Sequence, residues 1–348
     1  MEQSGTRASY GHVNELAAEL GLSETAYRRA LEIAGLSPSR SDWVRGIDHF
    51  LIAVGALLIV AGVTAFFAWN WATLGHMLKF ALIQSAIVAT AIFTWRLGID
   101  SIGGRASLFS SAFLVGVLLA VFGQSYQTGA DPYGLFLGWA ILILPWVIIG
   151  RQAALWMLFQ ILLNLALIMY WTQVLEPPDG WWQLTQLLGP LVWLASTVMN
   201  SDLATSLFIL NTIALVLWEA LSGRYPGWMR GRWYPRVIAL GAFSTVLLPT
   251  LTIIFAAAFD ERVRLTFVSP FLYVVATAAC LYYYQYRKLD LFILTICVLG
   301  AIMVVTSLFI RYLIEDFGLL PLAILLMAQV AGAAYWLRSV SRRWEVHS

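Results

Sequence analysis

Long apolar runs recur along this chain, and each is about as long as a helix that crosses a lipid bilayer. Such a helix needs about 20 apolar residues, and backbone in contact with lipid must form its hydrogen bonds within the helix. Since 60% of the 348 residues are hydrophobic and only 11% are charged, the sequence predicts an all-α polytopic membrane protein. We predict ten transmembrane helices: Phe50–Trp69, Met77–Trp95, Leu108–Gln124, Tyr133–Ile149, Ala153–Trp171, Leu203–Leu221, Val237–Phe259, Val268–Tyr286, Leu291–Ile310 and Leu319–Leu337.

The positions of the basic residues orient these helices. An eleventh apolar run, Leu187–Met199, is short and contains Gly189 and Pro190, which is more typical of an interfacial or re-entrant piece. With ten spans and a cytoplasmic N-terminus, only four of the 21 Lys and Arg residues lie outside: Lys79, Arg262, Arg264 and Arg311. With eleven spans the two sides carry almost equal numbers, against the excess of Lys and Arg expected in cytoplasmic loops. We therefore predict ten spans with both termini in the cytoplasm.

The chain divides into five predicted segments. They are a cytoplasmic N-terminal helical segment at 1–47, a first five-helix half at 48–171, an outer segment at 172–202, a second five-helix half at 203–338 and a cytoplasmic tail at 339–348. In the first segment, HVNELAAEL and ETAYRRALEIAG predict a helix pair, with Ser23 capping the second helix and Gly35 ending it. The two halves have the arrangement of an inverted repeat, but their residues do not match, so a repeat is left open.

The sequence lacks the motifs of soluble catalysis. It contains no phosphate-binding loop, no zinc-protease helix and no nucleophile elbow, and its four His residues are scattered. Cys280 and Cys297 both lie in apolar runs, so neither a disulfide framework nor a Cys-based metal site is indicated. We predict no catalytic residue, no metal, no cofactor and no nucleic-acid partner.

Neutral polar side chains lie near the middle of several predicted spans, whereas no Asp or Glu does. The candidates are Gln84, Gln160, Asn164, Asn211 and Gln329. Gln160 and Asn164 share a helix face by their i, i+4 spacing. These amides either form hydrogen bonds between helices or line a polar path or binding pocket, and both interpretations stay open. Gly134 and Gly138 form a G-x-x-x-G that predicts close helix packing in the fourth span.

The stretch FGQSYQTGADPYGLF, Phe122–Phe136, separates the third and fourth spans. Gly129, Asp131 and Pro132 are typical of a turn, and Asp131 is placed to cap the fourth helix. With the neighbouring hairpin, this turn predicts an outer cluster of Asn70, Lys79, Gln124, Tyr126, Gln127 and Asp131. The outer cluster either binds a polar or zwitterionic head group, or is an interfacial salt bridge between Lys79 and Asp131 that fixes two hairpins.

Several stretches resemble a known family. FGQSYQTGADPYGLFLGWAILILPW, with FFAWNW at Phe66–Trp71, is similar to the bacterial predicted membrane proteins grouped as domain of unknown function 2157. The likeness is densest over residues 43–171, and YRKLDLFILT at Tyr286–Thr295 and AAYWLR ending at Arg338 also resemble it. The resemblance implies a multi-pass protein of the bacterial inner membrane with a short cytoplasmic N-terminal region, and it brings no activity, ligand or catalytic residue.

Three functions follow as hypotheses from different classes. We favour a carrier or lipid-handling protein of the cell envelope, surrounded by the lipid bilayer and binding an envelope lipid or a small polar solute. The alternative is a non-catalytic subunit or scaffold of a membrane complex, with a partner membrane protein. The third is an intramembrane enzyme, for which His76 and Asp131 lie on one predicted face but have no spacing that ties them together.

Overall fold

The fold is given by a computed structural model. It describes residues 10–34, 36–37, 40–69, 75–126, 131–175, 201–225, 227–256, 268–317 and 319–347. These residues are helical apart from short turns, and they contain no strand. The chain separates into two compact units, Met1–Gly75 and His76–Ser348.

The first unit contains the predicted helix pair and the first apolar helix. The pair is α1 (Tyr10–Glu19) and α2 (Glu24–Ile33), and the apolar helix is α3 (Arg40–Trp69). Ser23 is the N-cap of α2, as predicted, and its hydroxyl accepts a hydrogen bond from the Ala26 N–H. The Tyr27 hydroxyl donates to Asn14 and so ties α2 to α1. Gly35 lies outside the described residues.

The second unit contains nine helices in its described part. They are α4 (His76–Leu97), α5 (Ile102–Tyr126), α6 (Pro132–Gly150), α7 (Ala153–Tyr170), α8 (Ser201–Ser222), α9 (Trp233–Ala256), α10 (Val268–Tyr286), α11 (Leu291–Phe317) and α12 (Leu319–His347). A π-helical turn, Trp171–Leu175, continues α7. Leu187–Met199 lies outside the described residues, so the eleventh candidate stays a prediction.

Membrane-crossing character is confirmed for most of the predicted spans. Of the described helices, nine are long and apolar enough to cross a bilayer: α3 to α9, α11 and α12. The tenth predicted span, α10, forms a helix with the bounds predicted for it, but it is not among the nine. It has 19 residues and no charge, so its lower hydropathy comes from polar side chains, five tyrosines among them. The chain is therefore an all-helical polytopic membrane protein.

Several helices extend beyond the apolar runs that predicted them. Helix α3 begins at Arg40 rather than Phe50, and α12 continues to His347 rather than ending at Leu337. The predicted boundaries at residues 47–48 and 338–339 therefore fall inside continuous helices. The physical reason is that a helix can continue from hydrocarbon into water, where charged side chains support it. Near the start of α3, for example, Arg45 pairs with Asp42 at 2.6 Å.

Helices that are adjacent in sequence pack as pairs in the second unit. Helix α4 contacts α5, α6 contacts α7, and α8 contacts α9, while α9 also contacts α10 and α11. One buried core lies between α5, α6 and α7 and includes Ala112, Ile143 and Leu158. A second core joins α8, α9, α10 and α11 and includes Phe243 and Leu294. The contact between α7 and α8 brings the two halves of the sequence together.

The predicted glycine pair does not lie at a close helix contact among the described residues. A Cβ placed on Gly134 or on Gly138 would meet nothing within 4 Å, so the predicted role of this G-x-x-x-G is wrong. Instead, a Cβ on Gly116 of α5 would lie 2.3 Å from the ring of Trp139 on α6. The Trp139 indole also donates to the Ala112 carbonyl at 2.9 Å. Gly116 is therefore the small residue that lets α5 and α6 approach.

Candidate functional site

The predicted outer cluster is only partly described. Asn70 and Gln127 lie outside the described residues. Lys79, in the first turn of α4, is buried, whereas Gln124, Tyr126 and Asp131 are exposed. Within the described part of the chain, Lys79 and Asp131 form no ion pair with each other. Binding of a head group by this cluster stays a prediction.

Two members of the outer cluster have structural roles. Asp131 is the N-cap residue of α6, but its side chain forms no capping hydrogen bond, in contrast to the prediction. Its backbone carbonyl accepts from the Gly134 N–H at 2.9 Å. The Tyr126 ring stacks on Phe80 at a centroid distance of 6.0 Å and contacts Phe122 at 4.8 Å. These rings join the first turns of α4 to the last turns of α5.

The five amide side chains predicted near the midplane lie at three different sites in the structure. Gln84 is exposed on α4. On α12, the Gln329 carbonyl oxygen accepts from the Thr306 hydroxyl at 3.2 Å, and its Nε2 has no partner among the described residues. Gln160, Asn164 and Asn211 come together between α7 and α8, and we call these three residues the amide cluster.

The three side chains of the amide cluster are linked by hydrogen bonds, and Asn211 both donates to α7 and accepts from it. Asn211 Nδ2 donates to Asn164 Oδ1 at 2.7 Å, and Asn211 Oδ1 accepts from Gln160 Nε2 at 3.0 Å and from Asn164 Nδ2 at 3.2 Å. Gln160 and Asn211 are 4% and 5% exposed. Polar groups at this depth must find partners within the protein because lipid offers none. The amide cluster therefore holds α7 against α8.

A lateral groove of about 420 Å³ lies beside the amide cluster. Its walls come from the end of α6, the first half of α7, the second half of α8 and the segment that joins α8 to α9. Most lining side chains are aliphatic or aromatic. Arg151 and Tyr225 lie at one end of the groove, and Gln160 lies near the other. From the start of α7 to Gln160 the helix rises by roughly 10 Å, so the groove reaches well into the hydrocarbon.

The groove has one open wall and one buried wall. Ile213 and Leu217 of α8 line it and are 53% and 55% exposed, whereas Trp218 is 3% exposed. Exposed apolar residues on a membrane-spanning helix face either lipid or another membrane protein. The groove is therefore open along the exposed face of α8.

Two indole groups in the groove wall lack hydrogen-bond partners. Trp156 and Trp218 line the groove, and the Nε1 atom of each is buried with no acceptor among the described residues. Trp218 packs on the Tyr234 ring at 4.0 Å between centroids. A buried N–H group without an acceptor costs about 1–3 kcal/mol. These two donors are the unsatisfied polar feature of the groove.

Next to the groove, an ion-pair cluster joins the ends of four helices. Its residues are Glu219, Arg232, Arg236, Lys288 and Asp290, from the end of α8, the start of α9 and the α10–α11 connection. Arg232 bridges both carboxylates, with Nη1 2.9 Å from Glu219 Oε1 and Nε 2.9 Å from Asp290 Oδ2. The carboxylates are almost fully buried, at 5% and 0% side-chain exposure. We call this end of the second unit the basic face.

Further ion pairs and hydrogen bonds complete the set of donors around the two carboxylates. Lys288 Nζ lies 2.5 Å from Glu219 Oε2, and Arg236 Nε lies 3.1 Å from both Asp290 oxygens. Asp290 Oδ1 also accepts from the Phe292 N–H at 3.1 Å and so caps α11. Each buried carboxylate thus has several donors around it, and these contacts fix the neighbouring side chains in place.

The pKa of Arg232 reflects this environment. Burial by itself would lower it, but the charge of Glu219 and the hydrogen bond and charge of Asp290 outweigh burial. The net effect raises the pKa of Arg232 above its ordinary value, so the guanidinium stays charged at any physiological pH.

Sequence reasoning missed the ion-pair cluster and the groove. The available signal was the position of Glu219, one turn inside an apolar helix, where a carboxylate needs a partner. Its partners are 13 to 69 residues away in sequence, so no local spacing identifies them. In the described ranges, no three His, Cys, Asp or Glu residues lie together in a way that could hold a metal ion.

Comparison with known proteins gives one family. Neither the curated proteins nor the solved structures contain a match to this chain. A family model described as "Predicted membrane protein (DUF2157)" matches residues 14–156, which include Arg151 and Trp156 of the groove. The stretches Tyr286–Thr295 and 333–338 lie outside the matched residues, so their resemblance stays a prediction. Over residues 14–156, the resemblance of this chain to the DUF2157 family of predicted membrane proteins is thus confirmed.

Proposed function

We propose that this chain is a lipid-handling protein of the bacterial inner membrane and that the lateral groove binds the acyl chain of a lipid. The observation that carries this proposal is the apolar groove between α7 and α8, which is open to the side where Ile213 and Leu217 are exposed. Its volume of about 420 Å³ lies in the range of small-molecule sites. An acyl chain can enter such a groove from the bilayer without crossing water.

The proposed orientation determines into which leaflet of the bilayer the groove opens. With both termini in the cytoplasm, the basic face is on the cytoplasmic side, because it carries Arg151, Arg232 and Arg236. The groove then opens into the inner leaflet, and the amide cluster lies near the bilayer midplane.

The amide cluster favours lipid over a small polar solute. A path for a polar solute needs donors and acceptors that the solute can use in turn. The amide groups of Asn164 and Asn211 are instead bonded to one another, and Asn211 Nδ2 also donates to the Leu207 carbonyl at 2.8 Å. This pairing supports a structural role for the cluster at the inner end of the groove.

A matched pair of variants tests the proposal. Leu217→Trp places a large side chain in the groove, whereas Val216→Trp introduces the same side chain on the same helix outside it; the parent residues are 55% and 60% exposed. We expect native mass spectrometry of gently extracted protein to detect a bound lipid in wild type and Val216→Trp and to lose it in Leu217→Trp. If all three retain the same lipids, the groove is not the binding site.

A scaffold role is the second candidate, and helix α12 favours it. In the most apolar 18-residue window of α12, no residue is buried. Such a helix faces either lipid or a partner membrane protein. Purification in mild detergent tests this candidate: a second chain in stoichiometric amount would support the scaffold role, and recovery of the isolated chain alone would argue against it.

A further inference from the structure

The groove also contains one polar atom that a ligand can reach, the side-chain carbonyl oxygen Oε1 of Gln160. We propose that the lipid chain in the groove carries a hydroxyl group near its middle, and that this hydroxyl donates a hydrogen bond to Gln160 Oε1. This inference rests on the proposed function, since it names the chemical class of the acyl chain in the same groove.

The first argument is that the hydrogen bonds of the amide cluster fix which end of the Gln160 amide is the oxygen. Asn211 Nδ2 donates to the Leu207 backbone carbonyl at 2.8 Å, so the other amide atom of Asn211 is the acceptor Oδ1. The Gln160 atom that lies 3.0 Å from Asn211 Oδ1 must therefore be the donor Nε2. Asn164 is fixed in the same way, because its Nδ2 donates to the Gln160 backbone carbonyl at 2.7 Å.

The second argument is that Gln160 Oε1 has no donor among the described residues, where the side chain of Gln160 bonds only through Nε2. Asn164 and Asn211 use their carbonyl oxygens within the cluster. Trp156, one turn earlier on α7, does not supply the donor, because its Nε1 has no acceptor in the described part of the chain. The cluster thus leaves one acceptor free, at a depth where unsubstituted hydrocarbon chains offer no donor.

The third argument is that this free acceptor is open to the groove. Gln160 is 4% exposed and is one of the residues that line the groove. The Nε1 atoms of Trp156 and Trp218 are fully sealed, whereas Gln160 Oε1 is not among the sealed side-chain atoms without a partner. The small accessible surface that Gln160 keeps therefore includes its free carbonyl oxygen, and a group lying in the groove can contact it.

The fourth argument is the depth of Gln160, which defines where the donor must be. Gln160 lies roughly 10 Å along α7 from Ala153, and the hydrocarbon of one leaflet is about 15 Å thick. An acyl chain whose carboxyl end lies at the interface has its middle carbons at this level. Since Phe159, Leu163 and Leu210 also line the groove, a neutral donor fits this site and a charged one does not. A hydroxyl group on the chain meets both conditions.

Four fatty acids of equal chain length test the donor and its depth. They are stearic acid, stearic acid hydroxylated at mid-chain, the mid-chain keto analogue, and stearic acid hydroxylated at the β-carbon. We would add each to the delipidated protein and measure binding by native mass spectrometry. One added neutral hydrogen bond predicts that the mid-chain hydroxy acid binds roughly fivefold more tightly than stearic acid. The keto and β-hydroxy acids have no donor at this depth and should bind no more tightly than stearic acid.

Two variants of the amide cluster assign the preference to Gln160. Gln160→Met has a side chain of similar length without an amide, and it should bind stearic acid and the mid-chain hydroxy acid equally. Asn164→Ala removes an amide from the same cluster but leaves Gln160 Oε1 in place, so it should keep the preference. If the cluster acts only by holding α7 against α8, the two variants should change binding alike.

The outcomes distinguish this inference from the proposed function. Equal binding of stearic acid and the mid-chain hydroxy acid, both blocked by Leu217→Trp, would overturn the hydroxyl assignment and leave lipid binding intact. The assignment is also wrong if the keto or β-hydroxy acid binds as tightly as the mid-chain hydroxy acid, or if the preference survives in Gln160→Met. An isoprenoid quinol that co-purifies with the wild-type protein in place of an acyl lipid would overturn the acyl-chain assignment. Binding that Leu217→Trp does not block would remove the proposed function together with the inference.

Discussion

Asn211 is the residue through which the amide cluster joins α7 to α8. Replacement by Leu removes hydrogen bonds to Gln160 and Asn164 and leaves both amides without their partner. We expect Asn211→Leu to lower the free energy of unfolding by about 1–2 kcal/mol, as measured by unfolding in detergent. The control is Gln84→Leu, an exposed amide on α4, which should be neutral or stabilising. Equal losses in the two variants would contradict the pairing.

Glu219 is the centre of the ion-pair cluster. It accepts from Arg232, Lys288 and Tyr284, so its neutralisation removes the only carboxylate that pairs with the half-buried Lys288 in the described part of the chain, while Arg232 keeps its pair with Asp290. Glu219→Gln should cost about 1–3 kcal/mol of stability. By contrast, Glu24→Gln, which breaks an exposed pair with Arg28, should cost less than about 0.5 kcal/mol. Thermal unfolding of both variants measures the difference, and similar midpoints would refute a stabilising role for the cluster.

The spacing of residues in the sequence predicted part of the amide cluster. The i, i+4 spacing of Gln160 and Asn164 placed both amides on one helix face, and the structure has them in one cluster. Their partner Asn211 lies 47 residues beyond Asn164, and periodicity within one helix carries no information about which other helix it faces. The same limit applies to Arg232 and Asp290, which are 58 residues apart.

At the scale of helices, the tight contact between α5 and α6 depends on Gly116. Gly116→Ala would place a methyl group 2.3 Å from the Trp139 ring, so the helices must separate or the indole must move. We expect a loss of about 1–3 kcal/mol. Gly138→Ala, in the partner helix, meets nothing within 4 Å and should be neutral or slightly stabilising. Unfolding midpoints in detergent test the pair, and the reverse order would restore the G-x-x-x-G hypothesis.

The helices themselves were predictable because lipid imposes a strict rule on backbone hydrogen bonds. Their ends were not, because charged turns such as Arg40–His49 continue α3 beyond the hydrocarbon. The prediction from the G-x-x-x-G failed for a geometric reason. Neighbouring residues on a helix point about 100° apart, so Trp139 faces α5 while Gly138 faces elsewhere.

For the whole molecule, the distribution of basic residues predicts the topology. In a background with Cys280 and Cys297 replaced by Ala, Arg230→Cys should react with an impermeant maleimide only after the membrane is permeabilised. Asp131→Cys should react in intact cells. Both parent residues are exposed, so accessibility is not limited by burial. Labelling of Arg230→Cys in intact cells would show that the predicted orientation is inverted and that the groove lies in the outer leaflet.

Cryo-electron microscopy of the protein in lipid nanodiscs tests whether the lateral groove holds a lipid. We expect elongated density between α7 and α8, running from Arg151 past Trp218 to the level of Gln160, and its absence in Leu217→Trp. If the groove of the wild-type protein is closed by its own side chains and lipid density appears only around the outer surface, the groove is not a lipid-binding site.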